Sequence, residues 1–296
     1  MELLDTLDVI DQQQWLDPTG DTVQRAVTTV LTHDNPTGKK LDNFLNGTWL
    51  GHPLHPVLTD IPVGAWTVGL TLDGLESFAG RPELAPGADA ATVIGFLGAL
   101  GAAVTGLAQW QYTVDRPRRL GLAHALLNTT ATALYGASIV CRLTGRRGAG
   151  KATALFGYTI AAVSAYIGGD IVYTHRIGVN HAPEEPLPDT FTPVLADREL
   201  PEGGMERVQV GNVPVLLARY QGTVYALANT CAHLGGPLNE GKMDGCSVIC
   251  PWHGSRFALD SGAMLDGPTT LPQPRYEVRV RGGQIEVRQP AGEGAP

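Results

Sequence analysis

The sequence predicts a multidomain α + β protein in which an N-terminal transmembrane four-helix bundle precedes an all-β domain. Four apolar stretches near the length that crosses a bilayer's hydrocarbon core lie between residues 57 and 171. Short runs with the alternating pattern of half-buried strands lie between residues 207 and 288. A segment rich in proline and acidic residues separates these regions. The chain has 296 residues, which is long enough for two domains.

The composition and the N-terminal segment narrow the functional class. The formal net charge is −8, which does not suggest a nucleic-acid partner. Residues 1–8 contain neither a basic segment nor an apolar core, so we expect no signal peptide there.

Residues 1–50 are predicted to form amphipathic helices. One apolar face consists of Val23, Ala26, Val27, Val30 and Leu31, and Asp21 is a candidate cap for that helix. A second face consists of Leu41, Phe44, Leu45 and Trp49. With Lys39 and Lys40 nearby, Trp49 suits a membrane interface. The alternative is that both helices simply pack on the next domain.

The four apolar stretches are predicted to be membrane spans. The second contains no charged residue, which favours a membrane over a soluble four-helix domain rich in alanine and glycine. Short connections predict an up-down bundle. The spans are Val57–Phe78, Ala90–Val114, Leu120–Leu143 and Ala152–Ile171.

Basic residues near the span ends favour one orientation weakly. Six lie on the side of both chain termini and four on the other side, and basic residues are more frequent on the cytoplasmic side. We therefore expect a multi-pass protein of the cytoplasmic (inner) membrane, with the C-terminal domain facing the cytoplasm and the lipid bilayer as a partner.

After the spans, residues 182–192 are predicted to form an extended, semi-rigid linker. Alternating runs then predict strands separated by turn residues. The predicted strands are Arg207–Val210, Val213–Tyr220, Val224–Asn229, Ser247–Cys250, Glu277–Val280 and Gln284–Arg288.

The strongest chemical signal is a pair of short motifs, C-x-H followed by C-x-x-H. Two thiolates and two imidazoles from Cys231, His233, Cys250 and His253 suit one [2Fe–2S] cluster, with Cys on one iron and His on the other. Zinc is the competing metal, since it also binds Cys₂His₂ sets. A zinc finger would place its histidines three to five residues apart on a helix. The neighbouring glycines Gly235, Gly236 and Gly254 allow backbone N–H groups to approach sulfides.

Over residues 191 to 288 the sequence resembles a Rieske domain, and both ligand loops match. The resemblance implies an antiparallel β fold with the cluster at one tip, and one-electron transfer. Leu234 and Trp252 in the two loops are further candidates for contact with the cofactor. Rieske domains of respiratory bc complexes have an extra disulfide between the loops. Here Gly236 and Trp252 stand at those positions, so the chain resembles the disulfide-free, ferredoxin-like branch.

The remaining cysteines agree with a reducing compartment. Cys141 lies in an apolar run and Cys246 in a strand-like loop, and we expect neither to form a disulfide.

Formal charge predicts how these ligands set the reduction potential. Two ferric ions, two sulfides and two thiolates sum to zero, whereas four thiolates would give a negative cluster, so histidine ligation raises the potential. Ser255 stands where a hydroxyl reaches a sulfide in high-potential relatives, and Phe257 replaces their second donor, a tyrosine. One donor kept and one lost predicts an intermediate-to-low potential.

Histidines flank the predicted spans at one membrane face. The group comprises His52, His55, His124, His175 and His181, and His33 lies in the N-terminal region. Four of them, His52, His55, His124 and His175, are candidate ligands of haem b or another metal, or groups that bind a quinol. The alternative is that they are interfacial side chains that cap helices.

Residues 50–181 are similar to DUF2231, a four-helix membrane family of unknown function. The opening H-P-x-H-P motif at His52–Pro56 and the segment Gly168–Tyr173 carry the likeness. The family pattern has Asp-Trp in the second helix and Gly-His in the fourth. Here these read Gln109-Trp110 and Gly169-Asp170, which removes one candidate ligand.

The sequence thus predicts a membrane-anchored electron-transfer protein that carries single electrons between a membrane redox component and a soluble partner. The alternatives are a quinol- or haem-linked oxidoreductase with a second redox site at the histidine-rich face, and a redox sensor. The predicted boundaries are 1–50 for the interfacial helices, 51–181 for the bundle, 182–190 for the linker and 191–290 for the Rieske domain.

Overall fold

The computed structural model describes residues 7–10, 12–31 and 35–291, so His33 lies outside the described residues. The chain forms two compact units. One groups Met1–Leu41 with Pro53–Ile177, and the other groups Asp42–His52 with Gly178–Pro296. These units divide the chain differently from the predicted boundaries, because residues 42–52 associate with the C-terminal part of the chain.

The first unit is helical, as predicted. Four long helices match the four apolar stretches, and shorter helices precede them in the described residues. The helices are α1 Asp17–Val30, α2 Pro36–Asn46 (which reaches into the second unit), α3 Leu54–Phe78, α4 Ala85–Trp110, α5 Asp115–Leu143 and α6 Arg147–Tyr173.

Two local expectations were wrong. Asp21 does not cap α1, because the helix already begins at Asp17, and the Asp21 carboxylate instead pairs with Arg118. Val114 is not part of the second long helix, which ends at Trp110; Val114 is extended and immediately precedes α5.

The membrane prediction is confirmed only in part. Two segments, Pro82–Trp110 and Arg147–Tyr173, are long and apolar enough to cross a bilayer. The other two long helices, α3 and α5, fall short of that measure among the described residues, and polar side chains such as Asp60, His124 and Asn128 lie within them. Four spans therefore remain a proposal, whereas the four long helices are observed.

The long helices pack as two hairpins, α3 with α4 and α5 with α6. Glycines allow the close approach. A Cβ on Gly95 of α4 would collide with the Trp66 ring of α3, and a Cβ on Gly157 of α6 would lie 3.2 Å from the Tyr135 ring of α5. The two aromatic rings stack on each other, with centroids 3.8 Å apart and planes 3° from parallel, so they join the two hairpins.

Charged side chains form a network near the turns of the two hairpins, which lie between α3 and α4 and between α5 and α6. Arg142 contacts both Asp73 and Asp89, and its side chain and that of Asp73 are 4% and 5% exposed. Arg147 bonds Glu76 at 2.7 Å and Asp89 at 2.6 Å. Because a buried charge without a partner is strongly destabilising, these pairs hold the helices in one register.

The second unit contains two antiparallel sheets. The larger has the strand order β1-β10-β9-β4-β3-β2 and the smaller β5-β6-β7-β8. All six predicted strands are present within two residues of their expected ends, and β1, β5, β7 and β8 are additional. The strands are β1 Thr192–Ala196, β2 Met205–Val210, β3 Val213–Tyr220, β4 Thr223–Ala228, β5 Lys242–Met243, β6 Ser247–Ile249, β7 Arg256–Ala258, β8 Met264–Asp266, β9 Arg275–Arg281 and β10 Gln284–Arg288.

Alternation along β3 explains how both faces of the larger sheet are covered. Val215 and Leu217 enter one apolar core with Ile285, whereas Leu216 and Ala218 enter a second core. The second core also contains both cysteines of the ligand motifs. The motifs therefore begin inside a packed apolar layer, which fixes where their loops emerge.

Residues 42–52 are anchored to this unit by Asn43. Its side-chain oxygen accepts a 3.0 Å hydrogen bond from the N–H of Gly267, and its amide nitrogen donates to Asp266 at the end of β8. A Cβ on Gly267 would lie 2.7 Å from the Asn43 oxygen, so glycine is required for this close approach.

The Gly95–Trp66 contact predicts a large cost for a single methyl group. Gly95→Ala should destabilise the protein by about 1–3 kcal/mol, because Trp66 is held against Tyr135 and cannot move aside. Thermal unfolding of the detergent-purified protein measures the effect.

Gly74→Ala is the matched control, because nothing lies within 4 Å of the added methyl group. It should be neutral or stabilise by up to about 1 kcal/mol through helix propensity. Equal melting temperatures for the two variants would contradict the packing described above.

Candidate metal centre

The two motifs fold into loops with the same backbone hydrogen bonds. In the first loop, Cys231 accepts from the N–H of Gly235 at 2.9 Å and donates to the carbonyl of Gly236 at 2.9 Å. In the second, Cys250 accepts from Gly254 at 3.1 Å and donates to Ser255 at 2.8 Å. Each loop thus spans a cysteine, a glycine four residues later and the residue after that.

The glycine of each loop has a positive φ, +82° at Gly235 and +75° at Gly254, which side chains rarely adopt. Each histidine lies between its cysteine and this glycine. The spacing that appeared in the sequence as C-x-H and C-x-x-H therefore comes from one type of turn with the imidazole at two different positions.

The loops bring the four candidate ligands together as two pairs. The Nδ1 atoms of His233 and His253 lie 3.2 Å apart, and the rings meet edge to face at 89°. The thiols of Cys231 and Cys250 are buried and hydrogen-bonded to each other. Cys141 and Cys246, the other two cysteines, are not in a disulfide.

Protonation states follow from burial and pairing. Burial lowers the pKa of His233 to about 3, so its imidazole is neutral at physiological pH, the form that binds a metal. The hydrogen bond from Cys231 lowers the pKa of the Cys250 thiol to about 7 and raises that of Cys231. One of the two thiols therefore ionises readily, as a metal ligand must.

The paired arrangement fits a two-iron centre. Two nitrogens on one tetrahedral metal at about 2.0–2.1 Å would lie roughly 3.3–3.4 Å apart, close to the observed His233–His253 separation. A Cβ on Gly236 would lie 2.8 Å from the Cys250 sulfur, so the loop closes tightly over the thiol pair. Within the described residues no group of three or more His, Cys, Asp or Glu side chains that could hold a single metal ion is found.

Gln273 holds the first loop in place, a role that no sequence motif indicates. Its side-chain nitrogen donates to the carbonyls of Ala228 (2.8 Å) and Thr230 (2.6 Å), and its oxygen accepts from the N–H of Ala232 (3.0 Å). The residue is 2% exposed. A single glutamine outside any motif does not reveal three such hydrogen bonds before the fold is known.

Ser255 is oriented by a third loop. Its hydroxyl oxygen accepts a 3.2 Å hydrogen bond from the N–H of Thr269, which leaves its hydrogen available to another acceptor. The residue is fully buried, as is Phe257. The Thr269 loop follows Gly267, the residue that Asn43 binds, so residues 42–52 support the position of Ser255.

The other predicted residues of the loops have distinct environments. Leu234 is half-buried, whereas Trp252 is 56% exposed and meets His253 edge-on with ring centroids 6.2 Å apart. The backbone N–H of His181 donates to the carbonyl of Ala232 at 3.0 Å, so His181 belongs beside the first ligand loop.

The bundle histidines belong to both units and have different partners. His52 is exposed and lies in the second unit, whereas His55, His124 and His175 lie in the first. His55 and His124 each bond a backbone carbonyl, of Ala102 and Ser164, at 2.8 Å. His175 lies 3.4 Å from the Asp170 carboxylate.

Comparison with known proteins assigns both regions. Residues 190–277 match the Rieske [2Fe-2S] domain, and residues 51–181 match a predicted membrane protein family, DUF2231.

Among curated proteins, Ferredoxin CarAc of Metapseudomonas resinovorans is 36% identical over 101 residues, which are 34% of this chain and 92% of that protein. The ferredoxin component of the naphthalene 1,2-dioxygenase system of Pseudomonas aeruginosa is 30% identical over 34% of this chain and 97% of its own length. Human apoptosis-inducing factor 3 is 30% identical, but this chain spans only 19% of its length. Among solved structures, the ferredoxin of carbazole 1,9a-dioxygenase from Nocardioides aromaticivorans IC177 is 30% identical, with 34% of this chain and 99% of that chain covered and a TM-score of 0.33.

The C-terminal unit is thus an iron–sulfur domain of the class defined by mixed cysteine and histidine ligation. The chain belongs to the Rieske [2Fe–2S] family through this domain, and its helical part matches the family model of DUF2231 over residues 51–181. The Rieske family implies a [2Fe–2S] cluster, and the residues of both loops fit that group.

Gln273→Ala should weaken retention of the cluster. The substitution leaves Ala232 N–H and two carbonyls without partners, at a cost on the order of 3 kcal/mol. We expect a lower yield of iron and sulfide per chain, together with a lower unfolding temperature. Gln284→Ala on an exposed position of β10 is the control and should match the wild type. Full cluster occupancy and unchanged melting in Gln273→Ala would refute the role given to this side chain.

Ser255→Ala should lower the midpoint potential of the cluster. One hydrogen bond to a charged group contributes about 1.5–3 kcal/mol, which for a one-electron couple corresponds to a decrease on the order of 100 mV. Dye-mediated redox titration monitored by EPR gives the value. Ser261→Ala, in an exposed turn, serves as the control. An unchanged potential in Ser255→Ala would remove Ser255 from the factors that set it.

Proposed function

We propose that this chain is a membrane-anchored Rieske protein that passes single electrons between a membrane redox component and a soluble partner. The observation that carries the proposal is the pairing of the four ligands: two thiols in a buried layer, and two imidazoles 3.2 Å apart in half-buried loops.

Cys231 and Cys250 would hold one iron, and His233 and His253 the other. A cluster bound in this way accepts and releases one electron at a time. The chain's own contribution is to seal the sulfur side with Gly236 and Phe257 and to leave the imidazole side less covered. Trp252, more than half exposed beside His253, offers an aromatic contact for a redox partner at that edge.

Membrane anchoring is supported by the outward faces of the long helices. Each presents large apolar side chains to the surroundings, and such surfaces on a soluble protein would be unusually extensive. The exposed residues include Val63 and Val68 on α3, Leu97 and Val104 on α4, Leu126 and Val140 on α5, and Phe156 and Val163 on α6. The family match to a predicted membrane protein agrees with this.

The names of the relatives suggest the class of soluble partner. Two of them are, by name, ferredoxins, one of them a component of a dioxygenase system. We therefore propose that the soluble partner is an oxidoreductase component that exchanges electrons with the cluster. We also propose that the Rieske domain faces the cytoplasm, where such components and free thiols such as Cys246 would be found.

A second candidate function is a haem-linked or quinol-linked oxidoreductase. The observation that favours it is the ordered pair His55 and His124, whose imidazoles are each fixed by a backbone carbonyl inside the bundle. A redox sensor remains the third candidate.

The proposal predicts two independent properties of the full-length protein. It should stay in the membrane fraction after an alkaline carbonate wash, and its dithionite-reduced form should give a Rieske EPR signal that integrates to one spin per chain. Proteolysis of spheroplasts before and after lysis reports which side carries the domain.

Cys250→Ser is the control for these measurements. It should remain in the membrane but lose the EPR signal, since one iron loses a ligand. Release of the wild-type chain by carbonate would contradict anchoring. A chain that binds iron without the Rieske signal would contradict the electron-transfer assignment.

A further inference from the structure

The two helical hairpins of the first unit repeat the same contacts. Trp66 of α3 stacks on Tyr135 of α5, and Asp73 of α3 pairs with Arg142 of α5. In both pairs the partners are 69 residues apart. The same offset relates His55 to His124.

The contacts within each hairpin repeat as well. The His55 ring donates from Nδ1 to Ala102 and lies over Gly106, where an added Cβ would be 2.9 Å from its Cε1 atom. The His124 ring donates to Ser164 and lies over Gly168, again with 2.9 Å to Cε1. In each case the carbonyl and the glycine are four residues apart on the partner helix.

These repeats describe two hairpins related by an approximate twofold axis that runs along the helices. Equivalent residues that meet each other lie on that axis, and the pairs follow in the same order on α3 and α5, so the two helices run parallel. Trp66 and Asp73 follow His55 by 11 and 18 residues. Both separations are close to whole numbers of helical turns, so the three residues lie on the same face of α3. The same holds for His124 on α5. The two histidines therefore form the third pair on the axis.

This third pair differs from the other two. Helices α3 and α5 lie farther apart than the helices within a hairpin, and large side chains close the gap at the two other levels. At the histidine level the two rings are near enough to interact electrostatically. No hydrogen bond between the two rings is found among the described residues. Each Nδ1 instead donates to a backbone carbonyl of the other helix in its own hairpin.

We propose that His55 and His124 are the axial ligands of a haem held between α3 and α5. Histidines that bind a metal usually donate their other ring N–H to a carbonyl or carboxylate, which fixes the ring and leaves the second nitrogen with a lone pair. Both rings have that arrangement here. A six-coordinate haem iron takes two ligands from the protein, because the porphyrin supplies the other four.

The contact of Asn128 agrees with the assigned tautomer. Its amide nitrogen lies 3.0 Å from Nε2 of His124, which is thereby marked as the hydrogen-bond acceptor. Asn128 is on the same helix one turn later, so Nε2 of His124 would bind iron only with the Asn128 side chain turned away from it.

A haem between the hairpins would make the bundle itself the membrane redox component, and this role rests on the proposed function. Haem binding by α3 and α5 does not depend on the Rieske cluster, so the two can be tested separately.

The test is to produce the full-length protein in cells supplied with a haem precursor and to purify it in detergent. We expect about one haem per chain by the pyridine haemochrome assay and a sharp α-band on reduction. His55→Ala and His124→Ala should each lower haem content at least tenfold. Loss of a group that merely hydrogen-bonds to a metal ligand already lowers metal affinity by roughly 10–100-fold, and these variants lose the ligand itself. In a His124→Gly variant, added imidazole should restore the low-spin spectrum.

Two histidines outside the pair provide matched controls. His52→Ala and His175→Ala should retain wild-type haem content. The Rieske EPR signal of every variant reports whether the chain has folded, independently of haem. Wild-type protein with a normal Rieske signal but no porphyrin would overturn the proposal, as would wild-type haem content in the His55→Ala and His124→Ala variants. Loss of the Rieske signal with haem retained would instead count against the proposed electron-transfer function.

Discussion

The centre depends on a backbone turn that the chain makes twice. In each ligand loop the cysteine accepts from a glycine four residues later and donates to the next residue, so both loops curl in the same way. The cysteines are fixed in an apolar layer between the two sheets. With the loop backbones and the cysteines held in this way, the histidines have little freedom, and the Nδ1 atoms of His233 and His253 lie 3.2 Å apart. The ligand geometry therefore depends on backbone hydrogen bonds and core packing.

Much of this could be predicted from the sequence, for identifiable reasons. Length and apolar content located the four long helices, and strict alternation located strands such as Val213–Tyr220 without error. Strands β7 and β8 were missed because three residues are too few to show a period. The ligands were identified because Cys and His at that spacing have few other uses.

The supporting residues were not predictable in the same way. Gln273 makes three buried hydrogen bonds to backbone groups, and nothing in its local sequence distinguishes it from an exposed glutamine. Sequence placed His52, His55, His124 and His175 in one group. Only the contacts across the hairpins separate His55 and His124 from the rest, since a relation between residues on distant helices has no local signature. The capping role expected of Asp21 was wrong because a partner far along the chain, Arg118, determines its environment.

The attachment of Asn43 to Gly267 also affects how the protein is made. The two residues are 224 positions apart, and the four long helices lie between them in the sequence. During synthesis, residues 42–52 leave the ribosome before the bundle exists and must wait until the last strands emerge before they can dock. The iron–sulfur domain is therefore completed only after the helices have been synthesised. The segment that supports the Ser255 loop thus has a surface to bind only once Gly267 has been synthesised.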